Sequence, residues 1–225
     1  MRYSVFRMFL ALVLAAQAAQ PAATAGASAP GPSIFTDPRL GEALGPIDPQ
    51  PGAWVEYAVV PRRGPHLRIR AAIVGTAPEG RYWLETVAQS GDGPPVATRL
   101  LVHGQPSRLR DVERAFLYVG GQAPIELPVA DAQTRATKPL TGLPRLARDR
   151  PQVVRTTAGQ FRTEVWRVQG TTIFRTPEVP LWGMVRARSS DRQVDLIAYA
   201  REGAESVFPP GWGDDLQGKG NESVK

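Results

Sequence analysis

The sequence predicts a mainly β protein, an antiparallel meander that curls into a barrel or a sandwich. Two observations carry this. Apolar residues recur with period two, not 3.6, in eight runs of strand length. Gly/Pro/Asp turn chemistry separates the runs at spacings of about 8–14 residues, which suits an all-β domain.

Taken in order, the first four runs are Ala53–Val60 (AWVEYAVV), Leu67–Val74 (LRIRAAIV), Arg81–Ala88 (RYWLETVA) and Val96–His103 (VATRLLVH). The second four are Gln160–Val168 (QFRTEVWRV), Thr171–Thr176, Leu181–Arg188 (LWGMVRAR) and Val194–Arg201 (VDLIAYAR). Gly91-Asp92-Gly93 and Gln169-Gly170 are hairpin tips, because glycine supplies the positive φ that tight turns need. Two stretches stay open. In Ser107–Gly120, Leu109, Val112 and Phe116 stand at helical spacing, yet Phe116-Leu117-Tyr118-Val119 reads equally well as strand. Ala130–Gln152 is proline-punctuated and arginine-rich, and reads as a short helix, a lid or a long loop.

The flanks have a different character. Arg2 and Arg7 precede an unbroken apolar run, Met8–Ala16, followed by small-residue patterns at Ala16-Gln17-Ala18 and Ala23-Thr24-Ala25. That is the layout of a secretory signal, assigned to residues 1–25. Gln17 and Gln20 interrupt the run before it reaches the roughly 20 residues a membrane span needs. Residues 26–52, punctuated by six prolines, form a linker or wrapping arm. A single antiparallel β domain fills 53–208, and the polar, glycine-rich 209–225 is a disordered tail. The expected location is periplasmic or secreted.

Composition narrows the function classes. Of the 225 residues, 42% are hydrophobic and 21% charged, a globular balance. Cysteine is absent, which excludes disulfides, thiolate metal sites, cysteine nucleophiles and a lipid-modified N-terminal cysteine. The formal charge is +6, and the leader holds two of those positive charges and no acid. A modest positive balance suits an anionic surface such as lipid head groups. Arg62, Arg63, Arg68 and Arg70 form one basic cluster; Arg135, Lys138, Arg145, Arg148 and Arg150 form another. No nucleic-acid motif accompanies them, and no later stretch is apolar enough to cross a bilayer, so neither nucleic-acid binding nor an integral membrane protein is expected.

Alternation sorts the side chains into two faces. One carries Val55, Tyr57, Val59, Leu67, Ile69, Ala71, Ile73, Tyr82, Leu84 and Thr86, then Phe161, Thr163, Val165, Leu181, Gly183, Val185, Ala187, Val194, Leu196, Ala198 and Ala200, with no charge among them. This face is either a packed core or a dry cavity in which small residues leave volume for a ligand. The other face mixes tryptophan with charge: Trp54 with Glu56, Arg68 with Arg70, Trp83 with Glu85, Glu164 with Trp166, and Trp182 with Met184, Arg186 and Arg188. Tryptophan beside arginine packs by cation–π stacking on an outer wall or lines a groove, and outer packing is favoured.

Catalytic motifs are missing. There is no G-x-S-x-G, H-E-x-x-H, P-loop or dinucleotide fingerprint. Glu56 and Glu85 read as solvated strand glutamates, and His66 and His103 are isolated. No enzyme, no catalytic residue, no metal site and no cofactor is expected.

Two stretches resemble exported β-rich proteins of the bacterial lipoprotein-carrier (outer-membrane lipoprotein-sorting) superfamily. Pro51-Gly52-Ala53-Trp54-Val55-Glu56-Tyr57 with Tyr82-Trp83-Leu84-Glu85 is similar to the start of such proteins. Ala158-Gly159-Gln160-Phe161-Arg162, leading to Thr176-Pro177-Glu178-Val179-Pro180-Leu181-Trp182-Gly183-Met184-Val185, matches their small-Gly-x-aromatic strand, hairpin and Val-Pro-apolar-x-Gly-apolar-Val strand. The similarity covers roughly Pro51 to Phe208. It implies a curved antiparallel sheet forming a half-open barrel with a small helical lid. Carrier members hold acyl chains in that barrel and ferry lipoproteins across the periplasm. The receptor branch is anchored through an N-terminal cysteine, which this chain lacks. The resemblance carries no functional arginine onto a particular position here.

The function expected on these grounds is an exported binding or carrier protein holding a lipid or lipoprotein acyl chain in an apolar cavity. Ile73, Leu84, Val165, Val185 and Leu196 are the candidate wall, and Arg68, Arg70 and Arg186 the candidate contacts for an anionic head group. The alternative is a non-catalytic envelope scaffold with a packed sheet, no ligand and a protein partner.

Overall fold

A computed structural model describes residues 47–104, 111–129, 147–168 and 170–212. They form β1 (Trp54–Pro61), β2 (Leu67–Ala77), β3 (Arg81–Ser90), β4 (Val96–Val102), β5 (Val112–Val119), β6 (Ile125–Leu127), β7 (Ala147–Thr156), β8 (Gly159–Val168), β9 (Thr171–Arg175), β10 (Met184–Arg188) and β11 (Arg192–Ala200). All eleven join one sheet in the order β6-β5-β4-β3-β2-β1-β11-β10-β9-β8-β7, and neighbours are antiparallel throughout. The chain starts at the centre of the sheet and meanders outward to β6. It resumes at the far edge with β7 and meanders back until β11 pairs with β1. Among the described residues the two edges do not pair, so the sheet is open. The chain is mainly β, as its periodicity predicts.

The sheet is also curved. Arg186 on β10 donates through Nη2 to the carbonyl of Arg155 on β7 at 3.0 Å, although β9 and β8 lie between those strands in sheet order. Phe161 on β8 meets Tyr199 on β11 with ring centroids 5.9 Å apart. The bulges let a wide sheet bend. They fall at Glu56/Tyr57, Ile73/Gly75, Leu101/Val102, Asp149/Gln152 and Met184/Arg186. Pro151 sits inside the fourth, where the missing N–H costs no regular ladder bond.

All eight runs read from the sequence are strands, with bounds shifted by a few residues. The ambiguous stretch resolves as β5 from Val112 on, and residues 105–110 lie outside the described residues. β5 is apolar on both sides because both are covered. Ala115 and Leu117 pair across to Leu100 and Thr98, while Phe116 pairs to Arg99 and packs on Trp83. Double-sided burial erases the period of two, which is why spacing alone left helix open. No α-helix occurs among the described residues. The lid expected over Ala130–Gln152 needs correction at its C-terminal end, where Ala147–Gln152 belongs to β7; 130–146 lie outside the described residues.

Two further corrections concern ends. The strand expected from Leu181 begins only at Met184, since Leu181 (φ 60°) and Gly183 (φ 68°) both adopt left-handed backbone. That break also undoes the alternation, so Trp182 and Met184 are buried in the main core instead of lying on the outer face. Of the residues assigned to the tail, 209–212 are described, and there Trp212 packs edge-on against Phe116 at 6.2 Å; 213–225 lie outside the described residues. Of the wrapping arm, only 47–52 is described: Ile47 is buried, Asp48 bridges to Leu181, and Gly52 N–H donates to the Ile73 carbonyl at 2.8 Å. The signal assigned to residues 1–25 lies outside the described residues.

The main core joins side chains from β1–β4 and β7–β11 in one apolar cluster. A second cluster lies on the other side of the first half of the sheet. There Trp83, Ala97, Leu101 and Phe116 pack against Phe208, with Trp212 beside them.

Candidate functional site

The five expected wall residues come together. Ile73 and Leu84 are direct cross-strand partners on β2 and β3, and Val165, Val185 and Leu196 join them in the same cluster. All five are at most 3% exposed. Thr86 and Ala71 pair beside Val55, and Ala187 pairs with Val194 and Ile173, so small residues do recur along this face. Tyr57 crosses the cluster to donate its hydroxyl to the Met184 carbonyl at 3.1 Å. Burial pushes the Tyr57 phenol far above the usual tyrosine range, opposed by the nearby Arg175 charge, so it remains a hydrogen-bond donor.

The three expected head-group arginines are engaged elsewhere. Arg68 and Arg70 alternate to the side of β2 opposite Ile69 and Ala71, away from the wall. Arg68 pairs with Glu56 at 3.2 Å. Arg70 stacks over Trp54 at 5.3 Å and donates to the Glu205 carbonyl at 3.0 Å. Arg186 pairs with Asp195 and holds β7 through Arg155. These contacts are structural: they fasten the outer layer and the curl. The favoured reading of tryptophan beside charge, outer cation–π packing, describes Trp54 and also Trp166, over which Arg148 lies at 5.6 Å.

A cleft of about 420 Å³ with a mixed polar and apolar lining opens where β8 and β9 meet the loop 176–183, among Asp48, Glu164, Arg175, Val179, Trp182 and Arg201. The loop is closed by the Thr176 N–H, which donates to the Gly183 carbonyl at 2.8 Å. Gly183 is required there. A Cβ would stand 2.7 Å from the Thr176 carbonyl oxygen, and the φ is one that side-chain-bearing residues avoid. The close approach inferable from Gly183 in the sequence is thus a bend of the chain on itself. Two guanidiniums brace the loop. Arg175 Nε donates to the Trp182 carbonyl at 3.0 Å, and Arg201 Nη2 donates to the carbonyls of Pro177 and Glu178 at 3.1 and 3.2 Å. Burial pulls the Arg175 guanidinium below the usual arginine range, and the negative charge of Glu164, its cross-strand partner, acts against that pull. Val179, Leu181 and Trp182, which line the cleft, also belong to the main apolar cluster. The polar mouth and the dry interior are therefore contiguous.

Sequence reasoning did not assemble this cleft. Its signal was present as two prolines and a glycine within eight residues, Thr176–Gly183, directly after an arginine. What joins it to Asp48 and Arg201 is tertiary: a single β-bridge from Asp48 to Leu181, and carbonyls presented to Arg201 by the loop. A second cleft of about 370 Å³ lies at the β6 edge beside Glu113, Arg114 and Glu126, where Arg114 and Glu126 satisfy one another bidentately at 2.9 and 3.2 Å. Neither cleft is lined by any of the five wall residues.

The opposite side of the first half-sheet holds a buried polar pair that the sequence reading took for solvated charge. Glu85 and Arg99 are cross-strand partners, 1% and 6% exposed. Ser206 Oγ and the Val207 N–H donate to Glu85 at 2.6 and 2.9 Å, and Arg99 donates to the Trp212 carbonyl while stacking over Trp83 at 5.1 Å.

No protein-family model matches this chain, and no curated protein matches it.

Proposed function

We propose that this chain is an exported, non-catalytic binding or carrier protein of the cell envelope that holds an acyl chain, of a lipid or of a lipoprotein, against the apolar face of its curved sheet. One observation supports the reading: the curved, open-edged sheet gathers one continuous apolar cluster that includes all five wall residues, and its members Val179, Leu181 and Trp182 also line a cleft open to solvent. Capture would be hydrophobic, at about 0.8 kcal/mol per buried CH₂, so a fourteen-carbon chain supplies roughly 10 kcal/mol before ordering costs. Export is part of the proposal and rests on the leader; the intact mass of the protein recovered from an envelope fraction tests it by showing cleavage near Ala18 or Ala25.

The test of cargo is native mass spectrometry of that protein with lipid extraction. A stoichiometric acyl species supports a carrier. A clean apo mass that also ignores added fatty acids and lipopeptides overturns it.

The scaffold alternative has its own support in the near-complete burial of the wall, which is what a filled core looks like. Ala71→Phe separates the two. A filled core loses about 1–3 kcal/mol to overpacking, whereas a chamber with room for a ligand accepts the ring with little change in stability and loses its cargo.

A further inference from the structure

We propose that the end of the sheet carrying the β1–β2 and β10–β11 turns docks the protein on an anionic lipid bilayer, with Arg62, Arg63 and Arg188 meeting the head groups. The inference goes beyond the carrier reading and does not depend on any cargo.

Three observations carry it. The first is placement. Pro61 is the cross-strand partner of Arg192, Arg188 of Gln193 and Leu67 of Ser90, so the turns 62–66, 189–191 and 91–95 stand at one end of the sheet. The Arg62 N–H donates to the Asp191 carbonyl at 2.7 Å and ties the first two turns together. β1 and β10 flank β11, which sets their ends about 10 Å apart by strand spacing, close enough for their arginines to act on one surface. The second is charge. At this end Arg192 pairs with Asp191, Arg167 with Asp149 and Arg148 with Glu164, while Arg68 pairs with Glu56 further down its strand. Arg62, Arg63 and Arg150 are exposed and make no ion pair among the described residues. Arg188, also exposed, donates to the neutral Gln193 amide oxygen at 3.1 Å and lies over Phe174. Against these four, Asp92 is the acid here that no cation matches among the described residues. The basic cluster read from the sequence thus divides: Arg68 and Arg70 fasten the outer layer, and Arg62 and Arg63 face solvent. The third is what surrounds the charge. Val60 is 39% exposed and Pro65 is exposed, so apolar groups flank the arginines. A bilayer interface takes up both kinds of group, whereas a soluble polyanion rewards charge alone. Neither cleft includes these residues, so turn tips along a sheet end meet a broad surface, and the guanidinium fork suits its phosphates.

The experiment is co-sedimentation of the full mature chain with vesicles of phosphatidylcholine, with and without one third phosphatidylglycerol. The anionic vesicles are expected to bind at low salt and to release the protein as salt rises, and pure phosphatidylcholine to bind far less. Arg62→Gln and Arg63→Gln should each weaken binding about fivefold, and the double variant about 25-fold. Arg155→Gln removes the same charge from an exposed side chain at the opposite end of the sheet and should change binding less than about twofold. Asp92→Asn should tighten binding by up to about fivefold, a gain that structural damage does not produce. The chain has no cysteine, so Ser190→Cys and Thr157→Cys each carry a single polarity-sensitive label, at the docking end and the opposite end. The label at 190 should respond to anionic vesicles and the label at 157 should not. Equal losses for Arg62→Gln and Arg155→Gln, or a response at 157 instead of 190, overturn the assignment of this end. No binding to anionic vesicles at low salt overturns docking itself. Dextran sulfate binding as tightly as the vesicles, with the same loss in Arg62→Gln, makes this end a site for a soluble polyanion and overturns the bilayer. Cargo is read separately by native mass spectrometry, so a failure of docking and a failure of the carrier reading are distinguishable.

Discussion

The two sides of β2–β4 are both buried, and by different means. On one side Ile69, Ala71, Ile73, Tyr82, Leu84 and Val102 meet side chains from β1 and β8–β11, strand against strand of the same sheet. Strand backbones are already hydrogen-bonded in their ladders, so that side needs little beyond hydrocarbon. On the other side the cover is the irregular segment from Ala204 to Trp212, whose backbone groups have no ladder to join. Buried backbone polar groups require partners, and here the strands supply them: Glu85 for the Val207 N–H, Arg70 for the Glu205 carbonyl and Arg99 for the Trp212 carbonyl. Charged residues at alternate strand positions can therefore mark a face covered by a strap of chain, as well as a face left to solvent.

The largest expected effect breaks the hydrocarbon side. Leu84→Ala should lose about 2–5 kcal/mol, the transfer free energy of the side chain plus the residual cavity. Urea unfolding followed by far-UV circular dichroism measures it. A loss under about 1 kcal/mol would mean the wall is already loosely filled, which favours a ligand chamber over a packed core.

Next in size is a substitution on the strapped side that sharpens the contrast. Glu85→Leu should cost about 1–3 kcal/mol although it adds hydrocarbon to a buried position, because the Ser206 hydroxyl and Val207 N–H lose their acceptor. Hydrogen exchange should rise in 204–212 and remain unchanged in β1 and β11. A neutral or stabilising result would mean that the segment is held by Phe208 and Trp212 alone.

The same contrast explains what could be read from the sequence. The eight strands were legible because most have one apolar side facing the main core, as in Val55-x-Tyr57-x-Val59. β5 was only half legible because both its sides are covered, and β6, three residues long, is too short to show a period. That Ile73, Leu84 and Leu196 share one buried side was legible, since alternation alone gathers them. Val165 and Val185 followed from the same rule, despite the bulge at Met184/Arg186. The partners of Arg70 and Arg186 were not legible. Arg70 and Arg186 reach backbone carbonyls on segments distant in sequence, and no spacing rule records such a contact. The cleft failed for a related reason. Leu181 and Gly183 stop the alternation there, and Arg175, Asp48 and Arg201 meet only through the loop between them.

A smaller effect tests the margin of the strap. Arg70→Ala removes both the cation–π contact with Trp54 and the bond to the Glu205 carbonyl, at a partly exposed position. The expected loss is about 0.5–1.5 kcal/mol. Proteolysis in the 202–206 region should quicken before global stability falls far. If cleavage there is unchanged, the anchor of the strap lies further along, at Arg99.

The smallest effect belongs to a charge with no strap above it. Asp191 sits in the β10–β11 turn, where Arg192 Nε donates to its carboxylate at 3.0 Å and Ser189 Oγ at 2.5 Å. These bonds, Arg192 first, hold its carboxyl below the usual aspartate range. A folded-state value below the unfolded one means the contribution to stability is fully present above the ordinary aspartate range and disappears as pH falls through the folded value. Its side chain is 57% exposed, so solvent screens the pair and the contribution at neutral pH should stay under about 1 kcal/mol. Asp191→Asn should therefore lower stability slightly at pH 7 and remove part of its decline on acidification, so that wild type and variant converge once the pH has fallen through the depressed folded-state value. Set beside Glu85→Leu, this measures what the strap adds. If Asp191→Asn costs as much as Glu85→Leu, burial beneath the 204–212 segment is not what makes the strand charges matter, and the distinction drawn between the two sides of the sheet fails with it.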